Sequence, residues 1–301
     1  MTKGGGRDFS GLRRILRRVG RRSGARFAAT VVGAFVLCAI VGPALVTQDP
    51  IAQDLAQRLQ PPSAAHWLGT DEFGRDIFAR LVHGTRISLA IGLVSVGVGA
   101  LFGGLLGLVT GYFGGWVDLL GMRLTDLMLA FPSILLAVVI VAALGPSLTN
   151  AMVAVGIVSV PQYARLVRSS VLATRSAPFV EAARALGASE SRVLFGTVLP
   201  QCVAPLLVQT SLGLATAILD AAGLSFLGLG AQPPTPEWGA MLGNGRDYVI
   251  HAPWILAAPG AAILLTVLGF NLLGDGLRDA LDPRYVALFR TPGRNHSLER
   301  S

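Results

Sequence analysis

The chain has 301 residues, 52% of them apolar and only 14% charged, with a formal net charge of +8. An ordinary soluble domain is about a quarter charged, so this chain has too few polar residues to cover a water-facing surface. The apolar content excludes disorder, the 37 Gly and 17 Pro follow no three-residue period and so exclude collagen, and a polytopic membrane protein remains.

The first 26 residues hold Lys3, Arg7, Arg13, Arg14, Arg17, Arg18, Arg21, Arg22 and Arg26, opposed only by Asp8. Leu12, Ile15, Leu16 and Val19 fall between them at helical spacing, which predicts a basic amphipathic helix lying on anionic headgroups. A nucleic-acid arm is the rival reading; a basic cluster directly before a span already has a role in setting topology, so no nucleic acid is expected.

A span needs roughly twenty mostly apolar residues. The segments 27–46, 87–109, 119–143, 148–167, 202–228 and 255–274 qualify, predicting an all-α protein of six transmembrane helices. The first is too long for a signal peptide's apolar core and lacks a clear small-x-small cleavage site, so it reads as an uncleaved span. Four units follow: a basic cytoplasmic segment 1–26, the first span with an external segment 27–86, a five-helix core 87–284, and a cytoplasmic tail 285–301. Arginines in the N-terminal segment, in the loop 168–200 and after Asp275 fall on one side, which the positive-inside rule makes the cytoplasm. The segments 47–86 and 229–254 fall outside, are slightly acidic, and carry Trp67, Trp238, Tyr248 and Trp254.

Gly92, Ser95, Gly99, Gly103 and Gly107 make a stripe of small residues along the second span that lets another backbone approach, within this chain or from a partner. Prolines at 132, 161, 205 and 259 predict kinked helices. Arg123 and Asp126, three apart in the third span, are expected to pair. Asp220, deep in the fifth span, must pair, protonate or line a wet path; a substrate ammonium group and a structural hydrogen bond both satisfy it.

The loop 176–200 is the most informative stretch. Pro178 starts a helix whose Phe179, Ala182, Ala183 and Leu186 share a face. Gly187 suits the left-handed turn that closes it, Ser189 and Glu190 cap the next helix, and that helix is expected to end at Pro200. Spacing leaves open whether this hairpin is a rigid knob for a cytoplasmic partner or a mere connection.

The pattern Glu181-Ala182-Ala183, then Gly187, then Leu199-Pro200 resembles the EAA loop in the permease subunits of bacterial ABC importers. Further stretches are similar to the dipeptide and oligopeptide branch of that family: Leu68 to Asp76, Gly111-Tyr112-Phe113-Gly114-Gly115, Ile218 to Gly239, and Gly274 to Arg284. The resemblance implies that Glu181, Ala182, Ala183 and Gly187, with Leu199 and Pro200, form a coupling helix seated on an ATP-binding subunit. It also implies a second, related permease, two ATP-binding subunits carrying ATP and Mg, an external peptide-binding protein, and a place in the inner membrane with both termini cytoplasmic. Trp67, Asp71, Trp238 and Tyr248 are the expected docking residues for the binding protein, with interfacial anchoring as the alternative. Asp220 is the candidate for the translocation path or its gate.

The residues themselves agree that the motor lies elsewhere. The only lysine is Lys3, so no GxxxxGK[ST] phosphate loop exists in this chain. Cys38 and Cys202 lie in apolar runs and the four histidines lack ligand spacing, so neither a metal nor another directly bound cofactor is expected. A channel or proton-coupled carrier would leave the knob without a purpose, and a membrane enzyme would need a nucleophile-base pair that the chain does not offer.

Overall fold

The computed structural model describes residues 23–281, and all regular elements among them are helical. The amphipathic segment expected before residue 23 and the tail after 281 lie outside the described residues. The helices are α1 (Ser23–Leu45), α2 (Ile77–Phe113), α3 (Gly115–Leu129), α4 (Ser133–Leu144), α5 (Leu148–Arg175), α6 (Pro178–Ala185), α7 (Glu190–Val193), α8 (Leu199–Phe226), α9 (Trp238–Gly245) and α10 (Trp254–Leu281).

Helix α2 is the central element. Asp76 caps its start, accepting a hydrogen bond from the Ala79 amide, and Gly114 closes it 37 residues later. Its small-residue stripe packs inside this chain, against α5. A Cβ on Gly103 would lie 2.4 Å from the Val160 carbonyl oxygen, and one on Gly107 would lie 2.3 Å from that of Ala164. Only hydrogen at these positions permits such backbone contact, which replaces the missing hydrophobic force between helices in lipid.

The pairing order sets the direction of each helix. Ser95 bonds the Met152 carbonyl, Gly103 meets Tyr163, and Gly111 meets Val171, so α2 and α5 run parallel. Segment 115–147 must therefore return to the side where α2 began. Helix α8 is antiparallel to α2, with Gly92 on Ile218 and Val96 on Gly213, and α10 is antiparallel to α8, with Gly274 on Leu212 and Phe270 in the cluster of Ile218. Helix α1 runs antiparallel to α2, since Gly42 meets Val82 and Cys38 meets Thr85.

Helices α1, α2, α8 with its lead-in from Glu190, and α10 are long and apolar enough to cross a membrane. The expected third span is broken: α3 and α4 meet at 93° and qualify only as a bent pair. Pro132, which precedes α4 in extended conformation, brings no amide to bridge the break. Helix α5 has the length but is too polar to qualify on composition, with Asn150, Gln162 and, in its second half, Arg165, Arg168 and Arg175.

The expected stop at Pro200 is also absent. Helix α7 runs through one wide π-helical turn, Leu194–Val198, directly into α8. The wider turn accommodates a proline that cannot donate to the residue four back. Asp126 pairs with Arg165 across the α3–α5 contact at 2.6 Å. The pairing with Arg123 gives way to this tertiary partner, which the helix packing delivers.

Candidate functional site

The hairpin of α6 and α7 is a mounted knob. Pro178 occupies its first turn, and Gly187 turns the chain at φ +83°, where a side chain is strained. The Gly187 amide donates to the Arg184 carbonyl at 2.9 Å and the Ala188 amide to that of Ala183 at 3.1 Å, which closes α6. Ser189 precedes α7 but makes no side-chain cap. Val180, Val193, Leu194 and Val198 are buried against Leu108, Val167 and Val171, fastening the hairpin to α2 and α5. Other positions on it are open: Leu186 is 88% exposed, Phe179 and Phe195 are exposed as well, and so are Glu181, Ala182 and Gly187. Ala183 and Leu199 are half-buried, and Pro200 is exposed at the start of α8.

Polar braces hold the same junction. Tyr112, at the end of α2, donates a hydrogen bond to the Glu190 carboxylate, and Arg184 Nη2 lies 3.3 Å from the Tyr112 hydroxyl. Hydrogen bonding to Tyr112 raises the pKa of Arg184 above its ordinary value. Arg175 Nη1 donates to the Gly111 carbonyl at 3.0 Å, and Arg168 Nη2 to Asp118 at 2.6 Å. Sequence reasoning singled out the Gly111 to Gly115 stretch by resemblance alone and missed these contacts. A tyrosine ending an apolar run, between glycines, was the available signal.

On the opposite side the external segments fold into a layer of their own. Asp71 takes Arg75 Nε at 2.6 Å and Arg80 Nε at 3.4 Å, while Arg75 Nη2 reaches Glu72 at 3.1 Å. Arg80 also donates to the Pro50 carbonyl at 2.9 Å and the Pro234 carbonyl at 3.3 Å, stitching the two external segments together. Burial, reinforced by the charge of Asp71, pushes the Glu72 carboxyl above its usual range. Trp238 is wholly buried, its indole N–H donating to the Leu81 carbonyl at 3.1 Å.

Two of the four expected docking residues are buried: Asp71 is held by Arg75 and Arg80, and Trp238 lies in the layer's core. Trp67 stays 67% exposed beside the Phe78 ring, and Tyr248 accepts a hydrogen bond from Arg58 at 3.3 Å.

Asp220 lies on α8 at a pocket of about 50 Å³ between α2, α4, α5 and α8, with Ser133, Ser159, Gln162, Tyr163 and Thr216 among its lining. A larger cavity of about 640 Å³ opens between α5, α8 and α10, where Gln201, Gln209 and Arg278 supply the polar groups.

Residues 103–287 match the sequence family described as the binding-protein-dependent transport system inner membrane component, and residues 10–62 match the N-terminal TM domain of oligopeptide transport permease C. The chain belongs to this permease family. The dipeptide transport system permease protein DppC of Alkalihalophilus pseudofirmus is 53% identical over 254 residues, 84% of each chain. The probable D,D-dipeptide transport system permease protein DdpC of Escherichia coli is 50% identical, over 85% of this permease and 86% of its own length. The glutathione transport system permease protein GsiD of Pectobacterium atrosepticum is 53% identical over 74% of each.

Among solved structures, an inward-facing MetNI methionine ABC transporter superposes with a TM-score of 0.54 at 21% identity, covering 67% of this permease and 96% of that chain. At that identity the likeness is one of fold. The permease is thus a multi-pass membrane subunit with the helical fold of ABC importers, as the EAA-loop resemblance implied.

Proposed function

We propose that this permease carries dipeptides or similarly short peptides inward across the cytoplasmic membrane, by alternating access driven by separate ATP-binding subunits. The observation that carries the coupling role is the α6–α7 hairpin: buried apolar residues fix it to α2 and α5, while Phe179 and Leu186 are exposed on α6 and its closing turn, as are Glu181 and Ala182. Apolar groups clustered on a rigid projection suit a protein partner. A push on that knob moves α2, α5 and α8 together, because all three meet at its base. The peptide assignment rests on the relatives' names, and the glutathione permease, at equal identity to the first dipeptide relative, supports glutathione as a second reading.

The proposed assembly adds a second, related permease, two ATP-binding subunits holding ATP and Mg, and an external binding protein that meets the surface around Trp67 and Tyr248. The helix directions give six crossings if the bent pair and α5 both span, and both ends of the bundle then lie on the knob's side, in the cytoplasm. The test is peptide-dependent ATP hydrolysis by the co-purified complex. Gly187→Pro cannot adopt φ +83° and removes the amide that closes α6, so it should abolish peptide stimulation. Leu186→Asp changes a side chain that is 88% exposed and should lose the ATP-binding subunits on purification. Unchanged stimulation and assembly in both variants would remove the coupling role.

A further inference from the structure

Resting on the peptide-import reading, we infer that the pocket around Asp220 is a binding site for a primary ammonium group, and that it takes the N terminus of the peptide during passage. Asp220 sits six residues before the end of α8, half-buried at the pocket, with no hydrogen-bond or ion-pair partner among the described residues. A half-buried carboxylate without a partner in an apolar helix is costly, so the position favours a cation supplied from elsewhere. No Lys, Arg or His lines the pocket.

The surrounding hydroxyls are oriented by bonds they have already made. Ser159 donates its proton to the Gly156 carbonyl at 2.7 Å, Thr216 to that of Leu212 at 3.4 Å, and Tyr163 to that of Gln209 at 3.4 Å. A hydroxyl whose hydrogen is occupied offers only lone pairs to a third group. The oxygens of Ser159, Thr216 and Tyr163 and one carboxylate therefore present acceptors, and Ser133 and Gln162 add groups that accept as well as donate. An ammonium group has three donors and no acceptor, which is the complement of this lining; a carboxylate would meet repulsion. The cavity of about 50 Å³ holds a group of ammonium size and not a dipeptide, so the rest of the peptide lies outside it. Side-chain identity is thereby left unread, as an importer of varied peptides requires.

The experiment uses the purified complex of both permeases and the ATP-binding subunits, without binding protein. Thermal stability is followed as Ala-Ala, its N-acetyl form and its C-terminal amide are titrated in. Ala-Ala and the amide should raise the melting temperature of the wild type, and the acetylated form should not. Asp220→Asn should lose the shift, and Asp220→Glu should retain it. In vesicles with binding protein, Asp220→Asn should lower uptake of Ala-Ala about tenfold, the scale of a lost charge-assisted hydrogen bond. No shift from Ala-Ala in the wild type, or equal shifts in wild type and Asp220→Asn, overturns the site. Uptake by wild-type vesicles tests the peptide reading separately: a complex that imports Ala-Ala yet ignores Asp220→Asn loses only the pocket.

Discussion

Tyr112 and Glu190 are 78 residues apart, yet the Tyr112 hydroxyl donates to the Glu190 carboxylate where α2 ends and the hairpin begins its return. Arg184 lies against the same ring, its guanidinium carbon 5.9 Å from the ring centroid. One tyrosine thereby holds both arms of the knob to the central helix. Tyr112→Phe removes the hydroxyl and keeps the ring. Because exposed polar contacts contribute little to stability, its melting temperature should match the wild type. Transport per ATP hydrolysed should fall, since the knob then transmits its displacement less directly. Measuring both rates in reconstituted vesicles decides it; an unchanged ratio shows that apolar burial alone fixes the hairpin.

The α2–α5 contact is tested by glycine substitution. Gly103→Ala puts a methyl group into the Val160 backbone, which has nowhere to retreat, so it should cost about 1–3 kcal/mol. Gly97 and Gly104 on the same helix have open space where a Cβ would go. Their alanine variants should be neutral or gain up to about 1 kcal/mol from helix propensity. Equal melting temperatures for all three variants in detergent would contradict parallel packing of α2 on α5.

The sequence made most crossings legible because a long apolar run has few other uses. It hid the break at Pro132, since 119–143 is apolar on both sides and hydropathy carries no direction. A proline at 132 predicts a kink, and the chain makes a near right angle there. The hairpin was legible from Pro178 and Gly187, whose backbone preferences act locally. What holds the hairpin was not, because Tyr112, Val167 and Val171 are remote in sequence. The burial of the external layer was hidden for a related reason: Asp71 lies in a polar loop and Trp238 begins a short helix, and contacts with Arg80 and Leu81, remote in chain or fold, help to take them inside.

That layer depends on Asp71. Its carboxylate faces two buried guanidinium groups, and Asp71→Asn leaves both without their shared counter-charge. Breaking a buried pair from one side typically costs about 3–5 kcal/mol. The variant should melt earlier, and protease should cut within 47–76 before it cuts the bundle. A variant as resistant as the wild type would show that Glu72 and the backbone carbonyls suffice for both arginines.

Glu72 gives the layer a pH dependence of defined sign. Burial, then the neighbouring Asp71, raises its folded-state pKa above the ordinary value of 4.5. A carboxyl raised in this way binds its proton more tightly folded than unfolded, so its contribution to stability is fully present below pH 4.5 and is lost as pH rises through the folded value. Glu72→Gln keeps an acceptor for Arg75 and removes the titration. Its melting temperature should therefore exceed the wild type's at neutral pH, and the gap should shrink as pH falls toward 4.5. If the gap widens on acidification, attraction to Arg75 and Arg80 outweighs desolvation, and the carboxylate is held ionised by the two guanidinium groups.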